Sequence, residues 1–129
     1  MLKNFEEYTY DLTAWEAGEC TDIVLEELRG HYLPLNNNEL AAAVLRRTEK
    51  KVSPARIRKV ISYLRVSHAP HICADKNGYY LARRRSELED YLISAKQRIR
   101  QQQAAVDAAE HCLTAPAFWE ARGVTLKDE

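Results

Sequence analysis

Between Ser53 and Arg85 the chain carries a succession of local signals that leaves it few ways to fold. Ser53-Pro54 is a helix start, and Ile57, Val60, Ile61 and Leu64 then recur at i, i+3, i+4 and i+7. One face of that helix requires a core. The other face carries Ala55, Arg56, Arg58, Lys59, Ser62 and Tyr63, small or basic residues that a core cannot use. Ala69-Pro70 marks its end, because a proline biases its predecessor toward extended geometry. Ile72-Cys73-Ala74 and Tyr79-Tyr80-Leu81-Ala82 around Asp75-Lys76-Asn77-Gly78 then predict a β-hairpin, finished by Arg83, Arg84 and Arg85. Tyr79 and Tyr80 fall on opposite faces of the ribbon, and one of them is expected to be buried.

Upstream, the spacing predicts a first helix starting at Thr21 or Asp22 as cap and burying Ile23, Val24, Leu28 and Tyr32 before Pro34. Asn36 followed by Glu39 forms a capping-box pattern. It opens a second helix with Leu40, Ala41, Val44 and Leu45 on its apolar side. Thr48 to Val52 has the length of a turn, so two short helices meet in a helix-turn-helix. The first twenty residues form an acidic, aromatic arm with Phe5, Tyr8, Tyr10, Leu12 and Trp15, alternating as a short strand would between Tyr8 and Leu12. Such an arm either packs on its own domain or docks a partner protein.

From Ser86 to Leu113 neither Gly nor Pro occurs, which predicts one long helix. Leu88, Leu92, Ala95, Ile99, Gln102, Val106, Ala109 and Leu113 alternate in steps of four and three, the pattern of a coiled-coil seam and a candidate homodimer interface. The alternative is a helix folded back on its own domain or bundled with the N-terminal arm. The expected organisation is therefore an arm (1–20), a compact domain (21–85), a long helix (86–114) and a tail (115–129) containing Phe118 and Trp119.

The formal charge is zero, with 19 basic and 19 acidic residues, but the distribution is uneven. Met1 to Leu40 holds nine acids against two bases, whereas Ala41 to Arg65 holds eight bases and the single acid Glu49. A cationic block on a helical scaffold attracts polyanions even when the whole chain is neutral. No apolar run reaches the roughly 20 residues that span a bilayer, and Met1 to Tyr10 lacks the basic-then-apolar order of a signal peptide, so a cytoplasmic protein is expected. Cys20, Cys73 and Cys112 form no C-x-x-C pair, and an odd count argues for reduced thiols.

No nucleophile elbow, phosphate-binding glycine loop or spaced carboxylate motif is present, so neither catalysis nor a cofactor is expected. His68, His71 and Cys73, with Cys20 or His31, are the one grouping that resembles a metal site, but they lack the matched pairs of a closed zinc set. A metal-dependent sensor is the weakest of the readings. For double-stranded DNA the signal comes from several elements together. Residues near the start of the third helix are placed to meet base edges: Ser53, Ala55, Arg56 and Lys59, with Ser62 a turn later and Arg58 and Tyr63 at the flanks. Arg46, Arg47, Lys50 and Lys51 lie where a phosphate backbone would pass. Lys76 at the hairpin tip and Arg83, Arg84 and Arg85 at its base complete the set.

The order of helix, capped helix, Ser-Pro helix and Asn-Gly hairpin resembles the winged helix-turn-helix superfamily over roughly Thr21 to Arg85. More narrowly, Ser53 to Arg65 followed by Ile72 to Ala82 is similar to small phage and prophage proteins with an arginine-bearing helix, a Gly-Tyr-Tyr wing and a trailing polar helix. The resemblance implies an α+β, mostly α fold: a winged helix-turn-helix domain followed by a long C-terminal helix. It further implies sequence-specific DNA binding in replication or transcription control, in a bacterial host cytoplasm. The competing reading is a protein-interaction module on the same fold that binds a host or replication protein.

Overall fold

The computed structural model describes residues 11 to 127 and is mostly helical, with one small antiparallel hairpin. Five α-helices and two strands follow one another: α1 Thr21–Gly30, α2 Asn37–Thr48, α3 Pro54–Ser67, β1 Ile72–Asp75, β2 Gly78–Leu81, α4 Arg85–Thr114 and α5 Pro116–Glu120. They divide into two compact units, one up to Leu88 and the other from Glu89. Among the described residues no helix is long and apolar enough to cross a membrane.

The first helix begins earlier than its sequence suggests. Thr13 and Glu16 form a reciprocal capping box: the Glu16 amide donates to the Thr13 hydroxyl (3.1 Å) and the Thr13 amide to Glu16 Oε1 (2.9 Å). Helical geometry starts at Ala14, passes through a π-helical turn at Glu16–Cys20, and enters α1 without a break. Thr21 is consequently no cap. Its buried hydroxyl donates back to the carbonyls of Ala17 and Gly18. Leu12 and Trp15 of the expected arm pack against the core of the N-terminal unit, the first of the two alternatives for that segment. The strand expected between Tyr8 and Leu12 lies largely outside the described residues.

At its other end α1 stops at Gly30, and His31 is extended (φ −123°, ψ 135°). Tyr32 therefore falls beyond the helix and is 85% exposed rather than buried, its ring taking the Arg83 guanidinium at 4.6 Å. In α2 the expected capping box is present, with Asn36 accepting from the Glu39 amide (2.8 Å) and Glu39 accepting from the Asn36 amide (3.0 Å). Ala43, not Leu45, joins Leu40 and Val44 on the buried side. The helix ends at Glu49, which adopts the left-handed conformation (φ 64°) and returns its amide to the Leu45 carbonyl.

Ser53 caps α3 by accepting from the Arg56 amide (3.2 Å), and Pro54 takes the first helical position. Ile57, Val60, Ile61 and Leu64 are buried as their spacing requires. They meet Ile23, Val24 and Leu28 of α1 and Leu40 and Val44 of α2, with Ile72 and Leu81 of the hairpin closing the same core. Burying side chains of this size contributes about 1.5–3 kcal/mol each before conformational entropy is subtracted.

In the hairpin Asp75 pairs with Gly78 and Ile72 with Leu81, leaving Lys76-Asn77 as a two-residue loop. The Asn77 amide donates to Asp75 Oδ1 at 2.7 Å. Gly78, rather than Asn77, takes the positive φ (+139°). Tyr79 and Tyr80 are both half-buried, and Tyr79 is the one packed on the core. Beside it Leu35 and Tyr79 exchange two backbone hydrogen bonds, 2.9 and 2.8 Å, so the segment before α2 lies against the hairpin as an isolated bridge.

α4 opens where Glu87 Oε1 accepts the amides of Arg83 and Arg84. None of its residues is buried. Within the C-terminal unit α5 folds onto the end of α4: Trp119 Nε1 donates to His111 Nδ1 (2.9 Å), and the Phe118 ring meets His111 edge-on at 5.3 Å.

Candidate nucleic-acid interface

Each basic residue nominated from the sequence has a definite environment, and these environments sort the set. Arg46 pairs with Glu27 (3.2 Å) and Arg47 with Glu26, so both side chains tie α2 to α1. Lys50 lies over the Trp15 ring at 4.7 Å. Arg83 donates to the Arg29 and His31 carbonyls (2.9 and 3.2 Å), stitching the base of the hairpin to the end of α1.

Arg56 is the most heavily engaged. Its Nε donates to Glu16 Oε2 at 2.8 Å, and its Nη2 donates to Glu16 Oε1 and, at 2.6 Å, to the Asp11 carbonyl. The Asp11 carboxylate lies 3.7 Å from Arg56 Nη1 and 3.5 Å from Lys59 Nζ. Glu16 is only 5% exposed, and the Arg56 hydrogen bonds hold its carboxyl down at about 2 despite the opposing effect of burial. The guanidinium nominated for base contact therefore closes the junction between the N-terminal helix and α3. This pairing is invisible in the local pattern of α3, although Thr13-Ala14-Trp15-Glu16 carries the capping signature that positions the acid.

A second group remains on the surface. Among the described residues the side chains of Lys51, Arg58, Lys76 and Arg84 are exposed and make no ion pair. Ala55 and Ser62 are exposed on α3 with Arg58 and Lys59, the Ser62 hydroxyl donating to the Arg58 carbonyl at 3.2 Å. Lys59 is half-exposed, and among the described residues its ion-pair partner is the exposed Asp11. Ser53 is committed to capping, and Tyr63 is half-buried with its ring 6.2 Å from that of His68. Arg85 is exposed at the first position of α4.

No three His, Cys, Asp or Glu side chains among the described residues come together as a metal site. Cys73 is buried with its Sγ 3.5 Å from the His71 carbonyl, and Cys20 is buried in the core. No protein-family model matches this chain, and no curated protein or solved structure matches it significantly.

Proposed function

We propose that this chain is a non-catalytic, dimeric DNA-binding protein whose N-terminal unit is a winged helix-turn-helix, acting as a phage or mobile-element regulator or replication accessory factor. The observation that supports it is the exposed basic and small face of α3, bearing Ala55, Arg58, Lys59 and Ser62, on a helix whose opposite face is locked into the core. A hairpin of wing-like length follows directly, with exposed Lys76 in its loop. In this reading α3 enters the major groove, Ala55, Lys59 and Ser62 face base edges with Arg58 at the flank on a phosphate, and Lys76 reaches backbone or minor groove. The seam of α4 pairs two copies.

Titration of duplex DNA at several salt concentrations tests this. If Lys50, Lys51, Arg58, Lys76 and Arg84 each neutralise a phosphate, log affinity falls against log salt with a slope of about −4 to −5. Absence of duplex affinity at low salt overturns the reading. Selection from a random duplex pool then reads the operator, and half-sites one DNA turn or a multiple apart accompany a two-fold dimer.

A second reading, a protein-interaction module, is favoured by one specific contact: Asp11 and Glu16 occupy Arg56 and Lys59 at the start of α3. Under that reading α3 is masked by the acidic N-terminus, and the N-terminal segment with the long helix binds a host or replication protein. Capture of a partner that is lost on removing Met1 to Tyr10, but kept in Arg58→Ala and Lys59→Ala, selects it over DNA binding.

A further inference from the structure

The long helix presents a continuous apolar stripe that its own unit leaves open. Leu92, Ile99, Val106 and Leu113 recur every seven residues and are 43%, 63%, 49% and 74% exposed. Leu88, Ala95, Gln102 and Ala109 fill the alternate seam positions. The aromatic cap formed by α5 does not cover it. His111, onto which Phe118 and Trp119 fold, lies about 200° around the helix from both Ala109 and Leu113, on the back of the stripe.

We infer that the stripe is covered by α4 of a second copy running antiparallel, with Leu92 against Ala109 of that copy, Ala95 against Val106, Ile99 against Gln102 and Leu88 against Leu113. The inference rests on the proposed homodimer and adds its direction and register. Volume decides it. Two parallel helices in register would stack Ala95 on Ala95 between layers of paired Leu92 and paired Ile99, and Ala109 on Ala109 between layers of paired Val106 and paired Leu113. Thin and thick layers would then alternate along helices whose separation is nearly constant, leaving voids that close packing does not tolerate. The antiparallel alignment sets a large residue opposite a small one in the layers containing alanine. The layer volumes even out.

Length agrees with this arrangement. The seam from Leu88 to Leu113 runs about 38 Å on a helix roughly 10 Å across. With its flanking positions, a strip of that size offers accessible surface on the order of the 800 Å² per partner found in specific interfaces. The alignment sets Lys96 beside Gln103 of the second copy, twice by symmetry, and the two Gln102 amides flank the two-fold axis within reach of one another. At the C-terminal end the stripe opens into a cleft of about 270 Å³ lined by Cys112, Leu113, Pro116, Glu120, Val124 and Leu126. Leu88 of the second copy faces that cleft. Glu89 also approaches Glu110 of the second copy, a like-charge contact that keeps the association weak and reversible.

Cysteine cross-linking of the full chain, in a Cys112→Ser background, tests direction and register together. Cys20 and Cys73 are buried and stay out of the reaction. Under mild oxidation Leu92→Cys/Ala109→Cys is expected to give a covalent dimer whose peptide map joins position 92 to position 109. Leu92→Cys alone is expected to remain uncross-linked, and light scattering of the wild-type chain to show a concentration-dependent dimer. Cross-linking of Leu92→Cys alone, as fast as the double variant, overturns the antiparallel direction while leaving the dimer standing. A wild-type chain that stays monomeric at high micromolar concentration overturns both. Neither result bears on DNA affinity, which the salt titration reads separately.

Discussion

Arg56 on α3 donates to both carboxylate oxygens of Glu16, a residue 40 positions earlier that also caps the N-terminal helix. One acid thereby satisfies both the Thr13 amide and the Arg56 guanidinium. Because that acid titrates at about 2 in the folded chain against an ordinary value of 4.5, the pair adds stability above pH 4.5 that is lost as pH falls through about 2. Glu16→Gln keeps the shape and removes the charge. It is expected to cost about 2 kcal/mol at pH 7 and to flatten the acid limb of the denaturation curve between pH 4.5 and 2. Urea titrations across that range check it, and an unchanged acid limb in the variant counts against the pair.

Stability and DNA affinity are expected to separate along α3. Arg56→Ala leaves Glu16 buried without its partner and should lower stability clearly more than Arg58→Ala does. Arg58→Ala touches an exposed side chain, so stability should stay within about 0.5 kcal/mol. The slope of log affinity against log salt should then shrink by about one in Arg58→Ala. Asp11→Ala removes the carboxylate beside Lys59 and Arg56 and is expected to tighten duplex binding at low salt. Thermal melts and salt titrations on the three variants give both readouts, and a duplex affinity insensitive to Arg58 sinks the assignment of α3 as the reading helix.

What the sequence discloses here is what short-range chemistry determines. The capping box of Asn36 and Glu39, the Ser53-Pro54 start, the buried stripe of Ile57 to Leu64 and the hairpin are each decided within a few residues, and each is present. The capping pattern of Thr13 and Glu16 was equally local but sat before Gly18, a residue that weakens any helical reading. Tyr32 escaped because the helix ends at Gly30, two residues short of it. The engagement of Arg46, Arg47, Arg56 and Arg83 was not legible at all, since each partner lies 19 to 54 positions away. Charge clustering along a chain does not say which charges neutralise one another once it is folded.

The three thiols should differ sharply in reactivity. Burial, reinforced by the nearby Glu16 and Glu19 charges, pushes the Cys20 thiol up to about 11, and burial raises Cys73 as well. Cys112 is only half-buried. In native buffer at pH 8 one thiol per chain is expected to react rapidly with a disulfide reagent, and all three after unfolding. Peptide mapping should place the fast label on Cys112; prompt labelling of Cys20 would mean that the packing around the π-helical turn is looser than described.

Gly78 is the position where the hairpin is least tolerant of substitution. Its φ of +139° disfavours any side chain, and a Cβ built there would lie 2.5 Å from the carbonyl carbon and oxygen of Leu35 and 2.7 Å from the Asn36 nitrogen. Those atoms belong to backbone that is itself fixed, on one side by the paired hydrogen bonds between Leu35 and Tyr79 and on the other by the capping box that opens α2. Nothing flexible is available to move aside. Gly78→Ala is therefore expected to cost about 2–4 kcal/mol. Asn77→Ala, in the same loop, should cost under about 1 kcal/mol, because the Asp75 contact uses the backbone amide at 77 and not its side chain. Hydrogen exchange at the Tyr79 amide, which donates to Leu35, should accelerate in Gly78→Ala beyond the change in global stability, since the clash separates the hairpin from the segment before α2. Equal losses in the two variants would remove the close approach of Leu35 as the reason a glycine stands at this position.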